Sequence, residues 1–487
     1  MANHEGVAFE TYQISDFPGV ERIWDTTPEQ FITDPVSLQT GINFKNLLYG
    51  GENVHILGAN TGDEGKGTWV YRLANNRSLS GIDGVTVVRT TGGIGAGHEF
   101  VPIGAREPLV HHLLSAGISH TMNNIVGRGV LSHPETLVKE IDQLHQRGYK
   151  PNIGIDASNF LHWDAHKMRD IMEEEARGGN SIGTTKSGIG PAASDYYGRH
   201  GMRIGDLLKS NADLRTLVEA EVERNNRILA GFHEYDPVEV FEQFLRWKEY
   251  LAPYLMNTLP IVYEAVDDGR LIGEAAQAFR LGRETGFDGS TTSTNSGTAT
   301  FEQQYMVSRR RATNLGVIKP VPTFVGRHTI HSPLPEDQQA MLYDRTSQRG
   351  SPETGRTSGR RRNYGRLSVP ELLAAVEAYD LHGLLISKAD VIEGLPYIEI
   401  GLNYVFADGT VTDIYDPKDP RMSDPQTRMN VLRMPMWSGS IAGLNRFEDA
   451  PRELRAFVDT VQHLAGVPVV GVGTGGRFED AMYRKAA

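Results

Sequence analysis

The chain has 487 residues, of which 39% are hydrophobic and 23% charged, a composition typical of a globular protein built as one large α/β unit or as two to three ordinary domains. The net charge of −12 argues against a broad nucleic-acid surface, and the absence of cysteine excludes disulfides, thiolate nucleophiles and cysteine-ligated metals. The chain has no apolar run of membrane-spanning length and no N-terminal signal, so we expect a cytoplasmic protein without a membrane partner.

Residues 1–50 contain aromatic and acidic residues with little periodicity, and we predict an N-terminal extension that packs on the body of the protein. From residue 51 to residue 487, apolar runs typical of strands alternate with helical patterns. This alternation predicts an α/β fold with a large, mostly parallel central sheet flanked by helices, and a helical side lobe at about residues 205–265. Sites in such folds cluster at the carboxyl ends of strands.

The most informative segment is a glycine-rich turn at residues 62–67, which follows an apolar strand at residues 54–58. Glycines let consecutive backbone N–H groups approach a phosphate, and Lys66 adds a positive charge. The spacing differs from a Walker A loop, and Asp63 suggests a metal ligand or a proton acceptor. The alternative is an ordinary polar turn after a strand.

A second glycine-rich segment, residues 92–98, follows the apolar strand of residues 85–89 and ends in His98. An imidazole in such a loop suits an acid or a hydrogen-bond donor to phosphate, although a lone histidine is more often structural. Further along, Pro134 begins a predicted amphipathic helix with apolar residues at Leu137, Val138, Ile141 and Leu144.

A third segment, residues 182–191, contains Thr185 among hydroxyls and glycines, and Arg199 follows it. Hydroxyl groups, turn glycines and a nearby guanidinium suit a monophosphate. An ordinary Ser/Thr turn is the alternative.

Three adjacent arginines, at positions 360–362, follow Thr357 and Ser358 in a polar, glycine-rich loop. Like charges repel unless anions gather there, and guanidinium groups match carboxylates and phosphates in bidentate geometry. We therefore predict ligand binding by this loop; the alternative is a solvated basic loop.

The C-terminal third continues the alternation of helices and strands. A capping box at Ser368 predicts a helix with Leu372, Leu373, Val376 and Tyr379 on one face, ending at Gly383, and a second helix is predicted over residues 452–465. A buried strand at residues 384–386 and another at 467–470 follow these helices.

Lys388 and Asp390 directly follow the first of these strands. An aspartate at a strand end can accept from both N1–H and N2–H₂ of guanine, while a lysine stem covers the face of the ring. As a four-residue string this motif is common, so it carries little weight by itself.

Taken together and in this order, the segments resemble adenylosuccinate synthetase, a family that joins IMP and L-aspartate using GTP and magnesium. The resemblance covers residues 51–487, which it identifies as a catalytic domain, and rests most on the strings at 62–67, 182–191 and 203–206. It implies the P-loop-related fold of that family and a C–N ligase with Mg²⁺ as cofactor and GTP as phosphoryl donor. It also implies a homodimer in which Arg199 reaches the neighbouring site.

The resemblance further implies a role for each matching residue. The implied catalytic residues are Asp63, Lys66, His98 and Gln277. The implied contacts to GTP are Gly62, Glu64, Gly65, Lys66, Gly67, Lys388, Asp390, Gly473, Thr474 and Gly475. The implied contacts to IMP are Asp63, Thr185, Arg199, Gln277, Thr292 and Arg360, and those to aspartate are Thr357, Ser358, Arg360 and Arg362. Asp63 and the carbonyl of Gly97 match the magnesium ligands.

In the implied mechanism, Asp63 removes the proton from N1 of the inosine ring, and the oxygen at C6 attacks the γ-phosphate of GTP. His98 acts as the acid that supports the phosphate during transfer. The amine of aspartate then attacks C6 and expels phosphate.

Several family positions differ in this chain, and they are positions that touch ligands. A usual asparagine is Gly95, a usual tryptophan before Gly62 is Thr61, and the fourth arginine of the aspartate loop is Asn363. Three hypotheses follow: an IMP–aspartate ligase, a paralogous ligase of the same mechanism that takes another purine nucleotide (GMP, dGMP or an analogue) or another amine, and a GTP-binding protein without turnover. The retained Asp63 argues against the phage branch that uses dGMP, whose members typically lack this aspartate.

Overall fold

The computed structural model describes residues 10–13, 44–287, 289, 291–324, 329–348, 353–354 and 361–484. Within these ranges the strands are β1 (Thr11–Tyr12), β2 (Val54–Gly58), β3 (Val85–Arg89), β4 (His98–Phe100), β5 (Leu109–His111), β6 (Met122–Val126), β7 (Asn152–Asp156), β8 (Leu255–Met256), β9 (Leu271–Glu274), β10 (Thr313–Ile318), β11 (Thr323–Phe324), β12 (Asn363–Tyr364), β13 (Leu367–Ser368), β14 (Gly383–Ile386), β15 (Tyr397–Val405), β16 (Val411–Thr412), β17 (Arg428–Pro435), β18 (Val469–Gly473) and β19 (Ala481–Tyr483).

The α-helices in the same ranges are α1 (Phe44–Tyr49), α2 (Lys66–Leu79), α3 (Pro134–Gln146), α4 (Asp164–Arg177), α5 (Ile189–Tyr197), α6 (Asn211–Ile228), α7 (Pro237–Leu251), α8 (Leu259–Asp267), α9 (Ala299–Tyr305), α10 (Glu336–Gln348), α11 (Val369–Ala378) and α12 (Arg452–Ala465). Strands and helices alternate along the chain, as the sequence pattern predicts.

The central sheet has ten strands in the described part of the chain, in the order β19-β18-β14-β10-β2-β9-β3-β6-β7-β8. Each neighbouring pair is parallel except β18 and β19, which are antiparallel. Parallel strands need crossover connections, and here helices supply them and cover the sheet. Strands β2, β10 and β14 at its centre are buried along their whole length. The predicted fold class is confirmed.

The helix predictions are confirmed where periodicity and capping agree. Helix α3 begins at Pro134, and the preceding His133 side chain accepts from the N–H of Thr136. Helix α12 spans the predicted residues and ends at Gly466, whose φ of 70° is left-handed. In both cases a local cap fixes the end that the sequence pattern indicates.

The predicted end of α11 is wrong, and so is part of its predicted buried face. The helix stops at Ala378, Asp380 adopts a left-handed φ of 50°, and Gly383 is instead the first residue of β14. An aspartate tolerates this conformation well enough to end a helix without glycine. Leu373 is 41% exposed, because the buried side of α11 is formed by other residues, including Leu372.

A smaller sheet has the order β1-β17-β15-β13, with β16 paired to β15. Its edge strand β1 comes from the N-terminal extension, where Thr11 and Tyr12 pair in parallel with Val431 and Leu432. Helix α1, from the end of the extension, buries Leu47 in the main core. The remainder of the predicted extension lies outside the described residues.

The middle of the chain is helical, as predicted. Helices α6 and α7 pack against each other, and their buried residues, among them Val218 and Phe244, belong to the same apolar core as the central sheet. The predicted lobe therefore rests on the sheet through a continuous core.

Candidate active site

The parallel strands β18, β14, β10, β2, β9 and β3 are neighbours, so their carboxyl ends lie along one edge of the central sheet. Polar or charged residues follow five of these ends: in sheet order, Thr474, Lys388, Lys319, Asp63 with Lys66, and Gln277. The sixth strand, β3, itself ends in Arg89, which contacts His98 of β4. The edge is the location that the sequence analysis predicts for the site.

The glycine-rich turn between β2 and α2 is held by an internal ion pair. The ammonium of Lys66 lies 2.7 Å from Oε2 of Glu64, and Oε1 of Glu64 accepts from the N–H of Gly62 at 2.8 Å. Both charged side chains are buried. The turn therefore keeps its lysine at the start of α2, where backbone N–H groups and the helix dipole favour an anion.

Gly58 brings Gln277 next to this turn. A Cβ at Gly58 would lie 2.7 Å from the carbonyl oxygen of Gln277 and 2.8 Å from Nζ of Lys66. Any larger residue at the end of β2 would push these groups apart. The implied catalytic residues Lys66 and Gln277 are thus neighbours through their common contact with one glycine.

Asp63 lies in a group of charges that we call the aspartate cluster: Asp63, Glu353, Arg362, Lys388 and Lys319. Nζ of Lys388 lies 3.1 Å from Oδ2 of Asp63 and 2.7 Å from Oε1 of Glu353. The guanidinium of Arg362 contacts the same two carboxylates. Lys319 is buried beside them and donates to the hydroxyl of Thr323.

Charge decides the protonation of this cluster. Burial favours the neutral carboxyl of Asp63, but the positive charges of Lys388, Arg362 and Lys319 outweigh it and hold the pKa of Asp63 well below its usual range. Burial lowers the pKa of Lys319 to about 8, although Glu353 and Asp63 oppose this shift. Asp63 is therefore an ionised carboxylate in contact with cations. Lys319 is the lysine of the cluster that loses its proton most easily.

His98 lies in a second charged group, which we call the histidine cluster: His98, Glu274 and Arg89. Nδ1 of His98 contacts Oε1 of Glu274, and the same oxygen accepts from Arg89 at 3.0 Å. Oε2 of Glu274 accepts from the N–H of Ala116 at 2.8 Å. Burial, followed by the charge of Arg89, lowers the pKa of His98 to about 3, whereas the contacts with His98 and Arg89 lower the pKa of Glu274 despite its burial.

The loop that carries Thr185 is held from below by two carboxylates of α4. Glu174 accepts from the N–H groups of residues 182, 183 and 184, at 3.1, 2.7 and 3.2 Å. Asp170 accepts from the hydroxyl of Thr184 at 2.7 Å and from the N–H of Gly188 at 2.8 Å. The hydroxyl of Thr185 lies 2.5 Å from that of Ser187. These hydrogen bonds hold the loop in place on α4.

The predicted guanine-reading residues lie at the ends of β14 and β18. The N–H of Ala389, between Lys388 and Asp390, donates to the carbonyl of Gly473 at 3.3 Å. Arg72 of α2 donates to the carbonyl of Gly475 at 2.9 Å. Thr474 is buried and donates its hydroxyl to the carbonyl of Leu444.

This end of the site also touches the glycine-rich turn. The indole N–H of Trp69, on α2, donates to the hydroxyl of Ser387 at 2.7 Å, and a Cβ at Gly65 would lie 3.4 Å from that hydroxyl. The two predicted halves of the donor site are therefore contiguous.

Backbone strain marks the same places. Seven non-glycine residues among those described have a positive φ, and four of them are predicted site residues: Asp63 (56°), Arg199 (60°), Gln277 (67°) and Lys388 (57°). A fifth, Lys186, adjoins Thr185. Such conformations cost free energy and tend to persist where a site needs them.

Some predicted residues are not joined to the rest. Thr357, Ser358 and Arg360 lie outside the described residues, so the predicted aspartate loop is represented by Arg362 and its neighbours. Arg199 is exposed at the end of α5, and Thr292 contacts the hydroxyl of Thr294 at 3.3 Å. These roles stay predictions.

Sequence analysis missed four charged residues of the two clusters: Arg89, Glu274, Lys319 and Glu353. Arg89 and Glu274 are the last residues of the apolar strands β3 and β9, and Lys319 directly follows β10. A charged residue at the end of a buried parallel strand was the signal that could have identified three of them. Glu353 stands in a polar loop and offers no comparable signal.

The described residues include neither a membrane-spanning helix nor a cluster of metal-binding side chains. None of the described helices is both long enough and apolar enough to cross a membrane. No group of three or more His, Asp or Glu side chains in the described ranges converges as a metal site.

Comparison with known proteins identifies the family. The sequence profile of adenylosuccinate synthetase matches residues 55–482. The chain is 32% identical to adenylosuccinate synthetase 1 of Pseudoalteromonas translucida over 446 residues, which cover 87% of this chain and 97% of that protein. It is 29% identical to the adenylosuccinate synthetase of Aspergillus flavus over 436 residues, with coverage of 88% and 99%.

Two solved structures share the fold. Fully ligated adenylosuccinate synthetase from Plasmodium falciparum superposes with a TM-score of 0.81 at 22% identity, over 89% of this chain and all of that one. The succinoaminodeoxyadenylate synthetase of cyanophage S-2L, bound to dGMP and to dATP as an energy donor, matches with a TM-score of 0.54 at 17% identity, over 89% of this chain and 95% of that one. From the profile match and the curated relatives, we conclude that this chain belongs to the adenylosuccinate synthetase family of C–N ligases.

Proposed function

We propose that this protein condenses IMP with L-aspartate at the expense of GTP, forming adenylosuccinate, GDP and phosphate through a 6-phosphoryl intermediate. The observation that supports this proposal is the position of Asp63, Lys66 and Gln277 after the adjacent strands β2 and β9, together with the contact of His98 with Glu274 at the end of β9. These are the residue types that the chemistry needs: a base, a cation for the polyphosphate, an acid and an amide that can read a purine.

Asp63 takes the proton from N1 of the purine, so that negative charge develops on the oxygen at C6. That oxygen attacks the γ-phosphorus of GTP and displaces GDP, which turns a poor leaving group at C6 into a phosphate ester. The amine of aspartate then adds at C6, and the C6–O bond breaks to release phosphate. Lys388 and Arg362 contact Asp63, and we propose that the donor and the amino acid, when they bind, draw these two cations away and free the base.

His98 and Lys66 act on the transferring phosphoryl group. Lys66 stabilises its negative charge together with the N–H groups at the start of α2. A phosphate beside His98 raises the pKa of the imidazole, because the negative charge favours the protonated form. His98, whose pKa burial and Arg89 lower to about 3, thereby gains the proton that it holds against a phosphoryl oxygen.

Magnesium fits the residues present. The Asp63 carboxylate and the backbone carbonyl of Gly97 are hard oxygen donors, and Mg²⁺ usually takes one or two protein oxygens plus substrate phosphates and water. When bound, the ion neutralises charge on the phosphates.

The test is direct synthesis. The purified protein is incubated with IMP, L-aspartate and Mg-GTP, and adenylosuccinate is followed by its absorbance and by mass spectrometry. Appearance of adenylosuccinate, GDP and phosphate in equal amounts is expected. No adenylosuccinate under these conditions, from protein shown to be folded, would remove the proposal.

A second candidate is a ligase of the same mechanism that takes another purine nucleotide or another amine. One observation favours it: a Cβ at Gly95 would lie 3.1 Å from both Ser187 Oγ and Ile189 Cγ1. The two loops approach closely where the family usually has an asparagine that contacts nucleotide. Recognition at this point therefore differs from that of typical members.

A panel of nucleotides separates the two candidates. IMP, GMP, dGMP and dIMP are each tested with aspartate and with other amino acids, using GTP, ATP or dATP as donor. The first candidate predicts turnover with IMP and aspartate above every other pair. A higher kcat/KM for another pair would establish the second candidate.

A further inference from the structure

Helix α2 carries a buried arginine, Arg72, to which the proposed reaction gives no role. The residue is 1% exposed, and its hydrogen bonds with described residues all go to backbone carbonyls rather than to a carboxylate. Burying a cation costs free energy, and carbonyl oxygens offset that cost only in part. The position of these carbonyls indicates what the arginine does.

The carbonyl partners of Arg72 all belong to residues 474–480, which connect β18 to β19 and which we call the β18–β19 loop. Nε donates to the carbonyl of Arg477 at 3.2 Å. Nη2 lies 2.9 Å from the carbonyl oxygen of Gly475, 2.7 Å from that of Arg477 and 2.8 Å from that of Asp480. Because a guanidinium is rigid and planar, these three carbonyls hold one arrangement around it. The loop is therefore folded around a side chain of another element.

Arg72 also lies beside the predicted guanine-reading residues. A Cβ at Gly473, the last residue of β18, would be 3.3 Å from Nη1 of Arg72. The acidic side chains whose charge acts on the guanidinium include Asp480 and Asp390, and Asp390 is the residue predicted to read the base. The arginine is thus close to both segments that the sequence analysis assigns to the donor base.

The same helix begins at the glycine-rich turn. Lys66 is its first residue, and Trp69 and Arg72 follow at intervals of three, which places them along one side of α2. Cζ of Arg72 lies 5.0 Å from the ring centroid of Trp69, whose indole N–H donates to the hydroxyl of Ser387 at 2.7 Å. One rigid helix therefore fixes the separation of Lys66 and Arg72, which is about 9 Å of axial rise for six residues.

We propose that Arg72 is a positioning residue for the base of the triphosphate donor. It anchors the β18–β19 loop to α2, which keeps the base pocket at a fixed distance from the glycine-rich turn. Asp390 then meets the hydrogen-bonding edge of the base in one geometry and rejects a base with the wrong pattern of donors and acceptors. This inference rests on the proposed function, because it takes the β18–β19 loop as part of the donor site.

The first test measures donor binding without turnover. The probes are the β,γ-imido analogues of GTP and ATP with Mg²⁺, and calorimetry gives the dissociation constant of each. The ratio of the two constants decides, whichever base the wild-type protein prefers. Arg72→Met keeps an unbranched side chain and removes the guanidinium, and we expect it to move this ratio toward one by about tenfold, the size of one lost charge-assisted hydrogen bond. A wild-type protein that binds the two analogues equally, or binds neither, would overturn the proposal.

The second test is kinetic. In the ligation assay Arg72→Met should raise the KM for the donor by about tenfold, while kcat and the KM for IMP change by less than about threefold. A loss of stability alone would reduce the amount of active enzyme and leave every KM unchanged. Arg72→Lys keeps the positive charge but not the planar fork, so it should restore only part of the donor affinity.

The matched control is Arg77→Met. Arg77 lies later in α2, is wholly buried and also donates to backbone carbonyls, those of Leu47 at 3.0 Å, Glu52 at 2.6 Å and Leu271 at 3.4 Å. These partners precede β2 or begin β9, so they lie at the edge of the sheet opposite the candidate site. The control should lose unfolding free energy as Arg72→Met does, but keep the wild-type ratio and KM values.

An Arg72→Met protein that behaves like the control, with lower stability and an unchanged ratio, would show that Arg72 serves only the core. If Arg72→Met does not fold, Arg72→Lys decides by the same ratio. We expect that ratio to shift toward one, and an unshifted ratio would overturn the proposal.

A failure of the proposed function looks different. In that case the wild-type protein makes no adenylosuccinate from IMP, L-aspartate and Mg-GTP, while the ratio of the two dissociation constants still reports on Arg72.

Discussion

The two charged clusters of the site differ in burial and in the contacts that hold them. In the histidine cluster, Arg89 and Glu274 are wholly buried and each hydrogen-bonds to backbone as well as to its partner. In the aspartate cluster, Asp63 and Lys388 keep 31% and 32% of their side-chain surface exposed and contact other side chains, whereas Glu353, Arg362 and Lys319 are buried. We infer that the first cluster is a fixed support and that ligands can rearrange the second cluster at its two exposed members.

The difference follows from where the charges are anchored. Arg89 and Glu274 are terminal residues of strands in the central sheet. Arg362 and Glu353 belong to the polar loop, and Lys388 and Asp63 stand in turns with left-handed backbone. We infer that the histidine cluster serves phosphate transfer. We also infer that the aspartate cluster binds the purine ring of the donor nucleotide and the amino acid.

The largest expected effect comes from Asp63→Asn, which removes the base but keeps its shape. Ligation should fall by about 10³-fold, because an amide cannot accept the N1 proton. The affinity for IMP in the absence of magnesium and donor, measured by calorimetry, should change little, because the amide keeps the shape of the side chain. Turnover within tenfold of wild type would mean that another group is the base, and the proposed role of the aspartate cluster would be lost.

A smaller loss is expected from Glu353→Gln. In this variant Lys388 and Arg362 lose their shared contact with the Glu353 carboxylate. Both cations then pair only with Asp63, which strengthens their attraction to the catalytic base. We expect kcat/KM for the triphosphate donor and for the amino acid each to fall by about tenfold, the cost of a lost charge-assisted hydrogen bond. Steady-state kinetics with each substrate varied in turn measure both values.

An effect on only one of the two substrates would contradict the idea that Glu353 joins their binding residues. The control is Glu399→Gln, which makes the same change at a buried carboxylate paired with Arg366 and Arg433 in β15 of the small sheet.

Lys319→Met tests the electrostatics of the aspartate cluster through stability. The pKa of Lys319 is about 8 in the folded protein against 10.5 for an ordinary lysine. Between these values the unfolded chain binds more protons, so this residue makes the wild-type protein more stable as pH rises from 8 to 10.5. The free energy of unfolding of wild type minus that of Lys319→Met, from urea titrations, should therefore rise over this range and be flat below pH 7.

A difference that falls with increasing pH would show that the pKa of Lys319 is raised instead. Attraction to Asp63 and Glu353 would then exceed the cost of burial.

The smallest effect is expected from deletion of residues 1–43. It removes β1, whose hydrogen bonds with β17 include Glu10 N–H to Asn430 Oδ1 at 2.7 Å and Val431 N–H to the Glu10 carbonyl at 3.0 Å. We expect a loss of about 1–2 kcal/mol in unfolding free energy, the worth of a few hydrogen bonds, and an unchanged kcat because neither cluster touches this edge. A change in kcat beyond about threefold would connect the extension to the site.

Much of the fold could be predicted from local patterns in the sequence. Apolar runs identified β2, β3 and β14, and caps with helical periodicity identified α3 and α12, because these features depend on neighbours in the sequence. The end of α11 could not be predicted in this way, since Asp380 instead of a glycine takes the left-handed conformation there. Which leucine of α11 faces inward likewise depended on the packing around it.

By itself the sequence determined the alternating α/β pattern, the glycine-rich turn with Asp63 and Lys66, and the family. It did not determine that Glu274 contacts His98, or that Glu353 joins Lys388 to Arg362, because Glu274 lies 176 residues from His98 and Glu353 lies 35 residues from Lys388 along the chain. Sheet order brings the strand ends together, and burial then sets which charges are paired and where their protons lie. Those interactions arise only when the chain is folded.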